Sequence, residues 1–114
     1  MANIAIFLAD GFEEIEALTV VDLCRRASLN IDMVSVMGNL SVTGSHGIEV
    51  KADKLLEDVK FDEMDMLVLP GGMPGTTNLE KTEKLMEQVR AFDAEGKFIS
   101  AICCICKVKI LGRR

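Results

Sequence analysis

Asn3-Ile4-Ala5-Ile6-Phe7-Leu8-Ala9 is almost continuously apolar, the pattern of a strand buried on both faces. Asp10-Gly11 breaks that run. The stretch from Glu13 to Ser28 reads as a helix, with acidic residues in its first turn and Arg25-Arg26 in its last. Its apolar positions Ala17, Val20, Val21, Cys24 and Ala27 recur at helical spacing. Ile31 to Met37 alternates and is rich enough in branched residues for a second strand. Gly38, Gly44 and Gly47 then punctuate a hairpin-like excursion through Val42-Thr43 and Ile48-Glu49-Val50.

Met66-Leu67-Val68-Leu69 is a further short buried strand, stopped by Pro70-Gly71-Gly72. Glu80 to Glu95 reads as a second helix, with Leu85, Met86, Val89 and Phe92 on one face and Gly96 as its cap. Lys97 to Ile102 is one more apolar run, and it delivers Cys103 at its far end. Strands alternating with helices predict an α/β fold built on a parallel sheet with right-handed crossovers. No internal repeat or linker divides the chain, so residues 1–114 are expected to form one domain.

Composition narrows the function classes. Eighteen acidic against thirteen basic residues give a net charge of −5, spread along the chain, which disfavours nucleic acid and anionic membrane as partners. The apolar runs are far shorter than the ~20 residues of a membrane span. No cationic segment followed by an apolar stretch opens the chain. A cytoplasmic protein with four reduced cysteines is the expectation.

The candidate chemistry gathers at one place. A strand that ends in a nucleophile and turns into a helix exposes that side chain above a parallel sheet, and the helix N–H groups favour thiolate over thiol. Eleven residues follow Cys103 in this sequence, and its partners are expected upstream of it. In an open parallel sheet, ligands sit beyond the carboxyl ends of the strands. Three loops are expected there: Asp10 to Glu16, Pro70 to Gly75, and the turn at Cys103. Together they would supply a carboxylate, glycine amides and a thiol.

Each element also has a plainer reading. Pro70-Gly71-Gly72 serves equally as a tight turn, and it has neither dinucleotide-binding nor P-loop spacing. Glu13 and Glu14 read as acids favoured by the helix dipole. Glu16 is different only if its face points at the sheet edge, and both readings stand. His46, the sole histidine, reads as a solvated loop residue away from the main sheet edge. Cys103-Cys104-Ile105-Cys106 contains a CxxC pair, but no second pair of ligands completes a zinc site. A dithiol reading remains beside the nucleophile reading. No metal and no cofactor are expected.

Four segments in register resemble the DJ-1/PfpI (ThiJ) family of the class I glutamine-amidotransferase-like superfamily. They are FLADGFEEIEALTVVDLCRRA at 7–27, VTGSHGIEVKAD at 42–53, LPGGMPGTTNL at 69–79 and ISAIC at 99–103. The resemblance is nearest to the DJ-1/YajL branch and implies a flavodoxin-like α/β sandwich, usually a homodimer. It matches Cys103 to the family nucleophile and Glu16 to the glutamic acid that hydrogen-bonds that sulfur. It matches Gly72 and Cys104 to backbone N–H groups that face the reacting oxygen, and Arg25 and Arg26 to basic positions near the dimer contact. The implied activity is glyoxalase-III-like or deglycase-like, on a small carbonyl substrate and without a cofactor. The alternatives are an oxidative-stress sensor or chaperone, or an inactive fragment; members also carry a thiamine-biosynthesis label.

The sequence departs from the family pattern from Cys104 onward, where Cys104-Ile105-Cys106-Lys107 replaces small residues and a proline. Further strands, helices and a histidine near the cysteine are expected of the family and are not in this chain. The expectation is a fold incomplete at its C-terminal side, with an exposed strand edge open to pairing.

Overall fold

The computed structural model describes residues 2–101, with helices on both faces of a five-stranded parallel sheet. The elements run β1 (Asn3–Leu8), α1 (Glu14–Arg26), β2 (Asn30–Ser35), β3 (Ser41–Thr43), β4 (Glu49–Lys51), β5 (Lys54–Leu55), β6 (Met66–Leu69), α2 (Gly75–Glu80), α3 (Glu83–Glu95) and β7 (Phe98–Ala101). The sheet order is β5-β2-β1-β6-β7, and β3 and β4 form a separate antiparallel hairpin. From β1 the chain moves outward through β2 on one side, then returns to place β6 on the other. The order therefore reverses between β1 and β6, and in such sheets that point is where ligands bind.

The unbroken apolar run of β1 explains why it is the central strand. Ala5, Phe7 and Ala9 join Leu67, Leu69 and the α3 residues Leu85, Met86, Val89 and Phe92 in one core. Ile4, Ile6 and Leu8 face the other way, onto Ala17 and Val21 of α1, Ile31 of β2 and Val42 of β3. Alternate residues of a strand point to opposite faces, so one continuous apolar segment feeds two cores. Phe61 completes the first core by stacking on Phe7 at 5.9 Å between ring centres.

Several boundaries differ from the sequence expectation. The helix expected over Glu80 to Glu95 is two helices, α2 and α3, separated by Lys81 and Thr82. The break occurs because α2 starts earlier, at Gly75, where the Gly75 and Thr76 N–H groups donate to the carbonyls of Gly11 and Gly72 at 3.2 and 2.9 Å. Thr82, the residue before α3, turns its hydroxyl back to the Asn78 carbonyl at 2.9 Å. Gly96 ends α3 in a left-handed conformation, as its position suggests. α1 stops at Arg26, and Ser28 follows at a φ of 62°, which leaves Ala27 outside the buried stripe. β2 ends at Ser35 rather than Met37, because the Ser35 hydroxyl binds the Asn39 carbonyl at 2.5 Å and bends the chain. β5 and the single helical turns at Leu56–Asp58 and Phe61–Glu63 were not anticipated.

Candidate active site

The loop after β1 is stitched to two other segments at once. Gly11 donates its N–H to Thr43 O and Ser45 donates to Phe12 O, both at 2.8 Å, which ties the hairpin to this loop. On the other side Glu13 N–H meets Gly71 O at 2.9 Å. Asp10 reinforces both seams, since Oδ1 accepts the Thr43 N–H at 3.1 Å and its carbonyl accepts Asn78 Nδ2 at 2.8 Å. The tip of the hairpin therefore belongs to the sheet edge, contrary to the expectation that His46 lies apart from it.

Two glutamates of the first turn of α1 use this junction differently. Glu16 is half-buried, and its Oε1 accepts the Gly71 N–H at 3.2 Å, so its face does point at the sheet edge. Glu14, read from the sequence as an acid favoured by the helix dipole, is only 3% exposed. The hairpin tip wraps its carboxylate: His46 N donates to Oε2 at 2.8 Å, Ile48 N at 3.3 Å, and His46 Nδ1 meets Oε1 at 3.0 Å. Gly44 packs so closely over the carboxyl that a Cβ there would collide with it.

The electrostatics follow from that enclosure. Burial alone would raise the Glu14 pKa, but the hydrogen bonds from the His46 ring and from the backbone amides of Glu14, His46 and Ile48 outweigh it. The carboxyl is held at about 2, well below its usual 4.5. His46 is pushed above its usual 6.5, first by its hydrogen bond to Glu14 and then by the charges of Glu13 and Glu14. The ring is indeed exposed, as the sequence suggested, yet it is anchored. The ligating atoms of Glu13, Glu14 and His46 lie within 4.8 Å of one another. Glu14 already accepts several N–H groups there, so the cluster reads as an ion-pair clamp.

Gly72 occupies the β6–α2 loop at a φ of +105°. A Cβ would lie 2.6 Å from Glu13 N and 2.7 Å from Gly11 O, so only glycine lets the two loops approach. β7 runs alongside β6 with Ala101 opposite Leu69, which brings its carboxyl end beside the Pro70-Gly71-Gly72 turn. Cys103, Cys104 and Cys106 lie outside the described residues, as do the strand-to-helix turn and the departure from the family pattern expected there. Cys24 is half-buried on α1. Arg25 and Arg26, matched by resemblance to a dimer contact, form ion pairs within the chain: Arg25 with Asp53 at 2.9 Å and Arg26 with Asp22 at 3.1 Å. Among the described residues no helix is long and apolar enough to cross a membrane.

A parallel sheet covered on both faces, with its loops converging at the strand-order switch, defines a flavodoxin-like α/β protein. The model of the DJ-1/PfpI family matches residues 2–108, and the chain belongs to that family. Among curated proteins it is similar to protein DJ-1 homolog B of Arabidopsis thaliana, 36% identical over 102 residues that make up 90% of this chain and 23% of that protein. It is 32% identical over 101 residues to a deglycase of Pyrococcus abyssi, covering 89% of this chain and 60% of that one. The solved structure of oxidised DJ-1 from Toxoplasma gondii superposes with a TM-score of 0.86 at 36% identity, over 90% of this chain and 56% of that one. The chain thus spans a quarter to three fifths of the length of these relatives.

Proposed function

We propose that the chain carries a cysteine-dependent site acting on small 2-oxoaldehydes or their adducts on amines, of glyoxalase-III or deglycase type. The observation that carries this reading is the contact of Glu16 Oε1 with the Gly71 N–H at the switch point, beside the carboxyl end of β7. It puts a carboxylate and a glycine-rich turn next to the strand that leads to Cys103. In the proposed reaction the Cys103 thiolate adds to the aldehyde carbon. Glu16 moves the proton from that carbon to its neighbour, and the Gly72 and Cys104 amides hold the developing oxyanion. Water then releases the hydroxy acid and restores the thiol. The aldehyde carbon is oxidised and the ketone carbon reduced, so no external oxidant or cofactor enters. The deglycase name of the Pyrococcus relative supports the substrate class.

The reading includes a homodimer joined across the outer face of α1. Ile15 and Leu23 are 75% and 60% exposed there, beside the exposed Ile48 of the hairpin tip. Methylglyoxal consumption by size-fractionated protein, with Cys103→Ser and Glu16→Gln alongside, tests the enzyme reading. Turnover lost in both variants supports it, and a folded wild type without turnover sinks it. A second reading, a redox sensor at Cys103, is favoured by the Toxoplasma relative having been solved in an oxidised form. Intact mass after peroxide separates the two: sulfinic acid formation in a protein without turnover supports the sensor.

A further inference from the structure

Glu14 and His46 form a heavily partnered polar pair among the described residues of the sheet edge, and the proposed reaction uses neither. Besides its bonds to the His46 ring and the two hairpin amides, the Glu14 carboxylate lies 3.5 Å from the Ser45 hydroxyl. All these donors sit at one hairpin tip, and one helical turn supplies the acceptor. A buried carboxylate enclosed in this way holds its donors in place, because an unpaired charge there is costly. That same turn presents Glu16 to the Gly71 N–H, and the segment Gly11–Glu13 is bonded to the hairpin on one side and to the glycine loop on the other.

We infer that the Glu14–His46 contact is a protonation-set latch: closed, it fixes the hairpin tip and the first turn of α1, and so holds Glu16 against the glycine loop. Glu14 is then a positioning residue, acting through Glu16. The consequence for activity rests on the reading of Glu16 proposed above; the latch itself does not. Among the described residues, the charged groups at the junction are Glu13, Glu14 and Glu16 of α1, Asp10 of the preceding loop and Glu49 of β4. Of these, Glu14 and Glu13 reach the ring, at 3.0 and 3.8 Å, whereas Glu49 bonds Ser41 across the hairpin and Asp10 accepts from Thr43. Loss of the imidazolium charge leaves two carboxylates facing a neutral ring, which loosens the tip.

Proton–nitrogen spectra of the labelled full chain, recorded across the His46 titration, test the latch at an atom remote from it. The Gly71 amide resonance is expected to move with the midpoint of the His46 ring, and His46→Gln is expected to abolish that transition while leaving the fold signature intact. Glu14→Gln should return the ring midpoint toward that of free histidine. If Glu14→Gln fails to fold, His46→Gln, at an exposed ring, still decides. A Gly71 amide that stays flat through the His46 midpoint, or moves identically in His46→Gln, overturns the latch. Methylglyoxal turnover in Glu16→Gln is scored separately. If it persists, the reading of the site fails and the latch stands; a flat Gly71 with an inactive Glu16→Gln gives the reverse.

Discussion

Glu14 and Glu16, two positions apart in α1, hold opposite sides of the same junction: Glu14 binds the hairpin amides of His46 and Ile48, and Glu16 binds the Gly71 amide. Positions i and i+2 of a helix are separated by roughly 200° around its axis, so neighbouring acids are directed to different loops. The two substitutions are expected to differ accordingly. Glu16→Gln keeps a side chain able to accept from Gly71 but unable to take a proton. It should lower methylglyoxal turnover by about 10²–10⁴-fold with little change in thermal midpoint. Glu14→Gln should lower the midpoint, because a buried amide cannot satisfy the same set of donors. Turnover assays and thermal melts on the two purified variants check this pairing.

The pH dependence of stability carries a specific sign at this clamp. His46 has a raised pKa in the folded chain, so its contribution is complete below 6.5 and is lost as pH rises through the folded value. Glu14 has a lowered pKa, so its contribution is complete above 4.5 and is lost as pH falls toward about 2. Denaturant unfolding of wild type and His46→Gln should therefore show their largest difference between those limits. The difference should shrink on both the acid and the alkaline side. A difference that grows above neutral pH would contradict the clamp.

Much of the sheet was legible because the signal was local. The run from Ile4 to Leu8 has the pattern of a strand buried on both sides, and the spacing of Leu85, Met86, Val89 and Phe92 announced the inner face of α3. Gly96 announced where it ended. Start signals for α2 were absent, since Gly75-Thr76-Thr77-Asn78 are weak helix formers and the first turn is held by the carbonyls of Gly11 and Gly72. Glu14 was illegible for a related reason. An acid in a first helical turn is ordinarily solvated, and what buries this one is a hairpin tip 31–34 residues downstream. The Glu16–Gly71 contact likewise joins residues 55 positions apart, and only the reversal of strand order brings them together. Gly44, which the folded hairpin packs against the Glu14 carboxyl, reads in sequence only as a break in the hairpin.

Gly72 and Gly38 separate backbone conformation from crowding. Both have positive φ, +105° and +87°, but nothing lies within 4 Å of a Cβ built on Gly38, whereas Gly72 faces backbone atoms of Gly11, Phe12 and Glu13. Gly38→Ala should cost about 1–2 kcal/mol, the penalty of a left-handed conformation. Gly72→Ala must also push the two loops apart, so it should cost more, and it should disturb the Gly71–Glu16 contact as well. Thermal and denaturant unfolding of the two variants gives the comparison, and equal costs would mean that the loops separate freely.

Leu85 and Arg26 mark the two extremes of what holds α3 and α1 in place. Leu85 is fully buried between α3 and the sheet, so Leu85→Ala removes apolar contacts and leaves a cavity. That change should destabilise the chain by about 2–5 kcal/mol. Arg26 pairs with Asp22 one turn away at 3.1 Å, with both side chains largely in solvent. Such exposed helix pairs contribute about 0.3–0.5 kcal/mol and are screened by salt. Arg26→Ala should therefore be nearly silent in denaturant unfolding, and its small effect should vanish at high ionic strength. A large, salt-independent loss on Arg26→Ala would place Arg26 in a contact beyond its own helix. The same variant examined by sedimentation would then show whether that contact is made to a second copy of the chain.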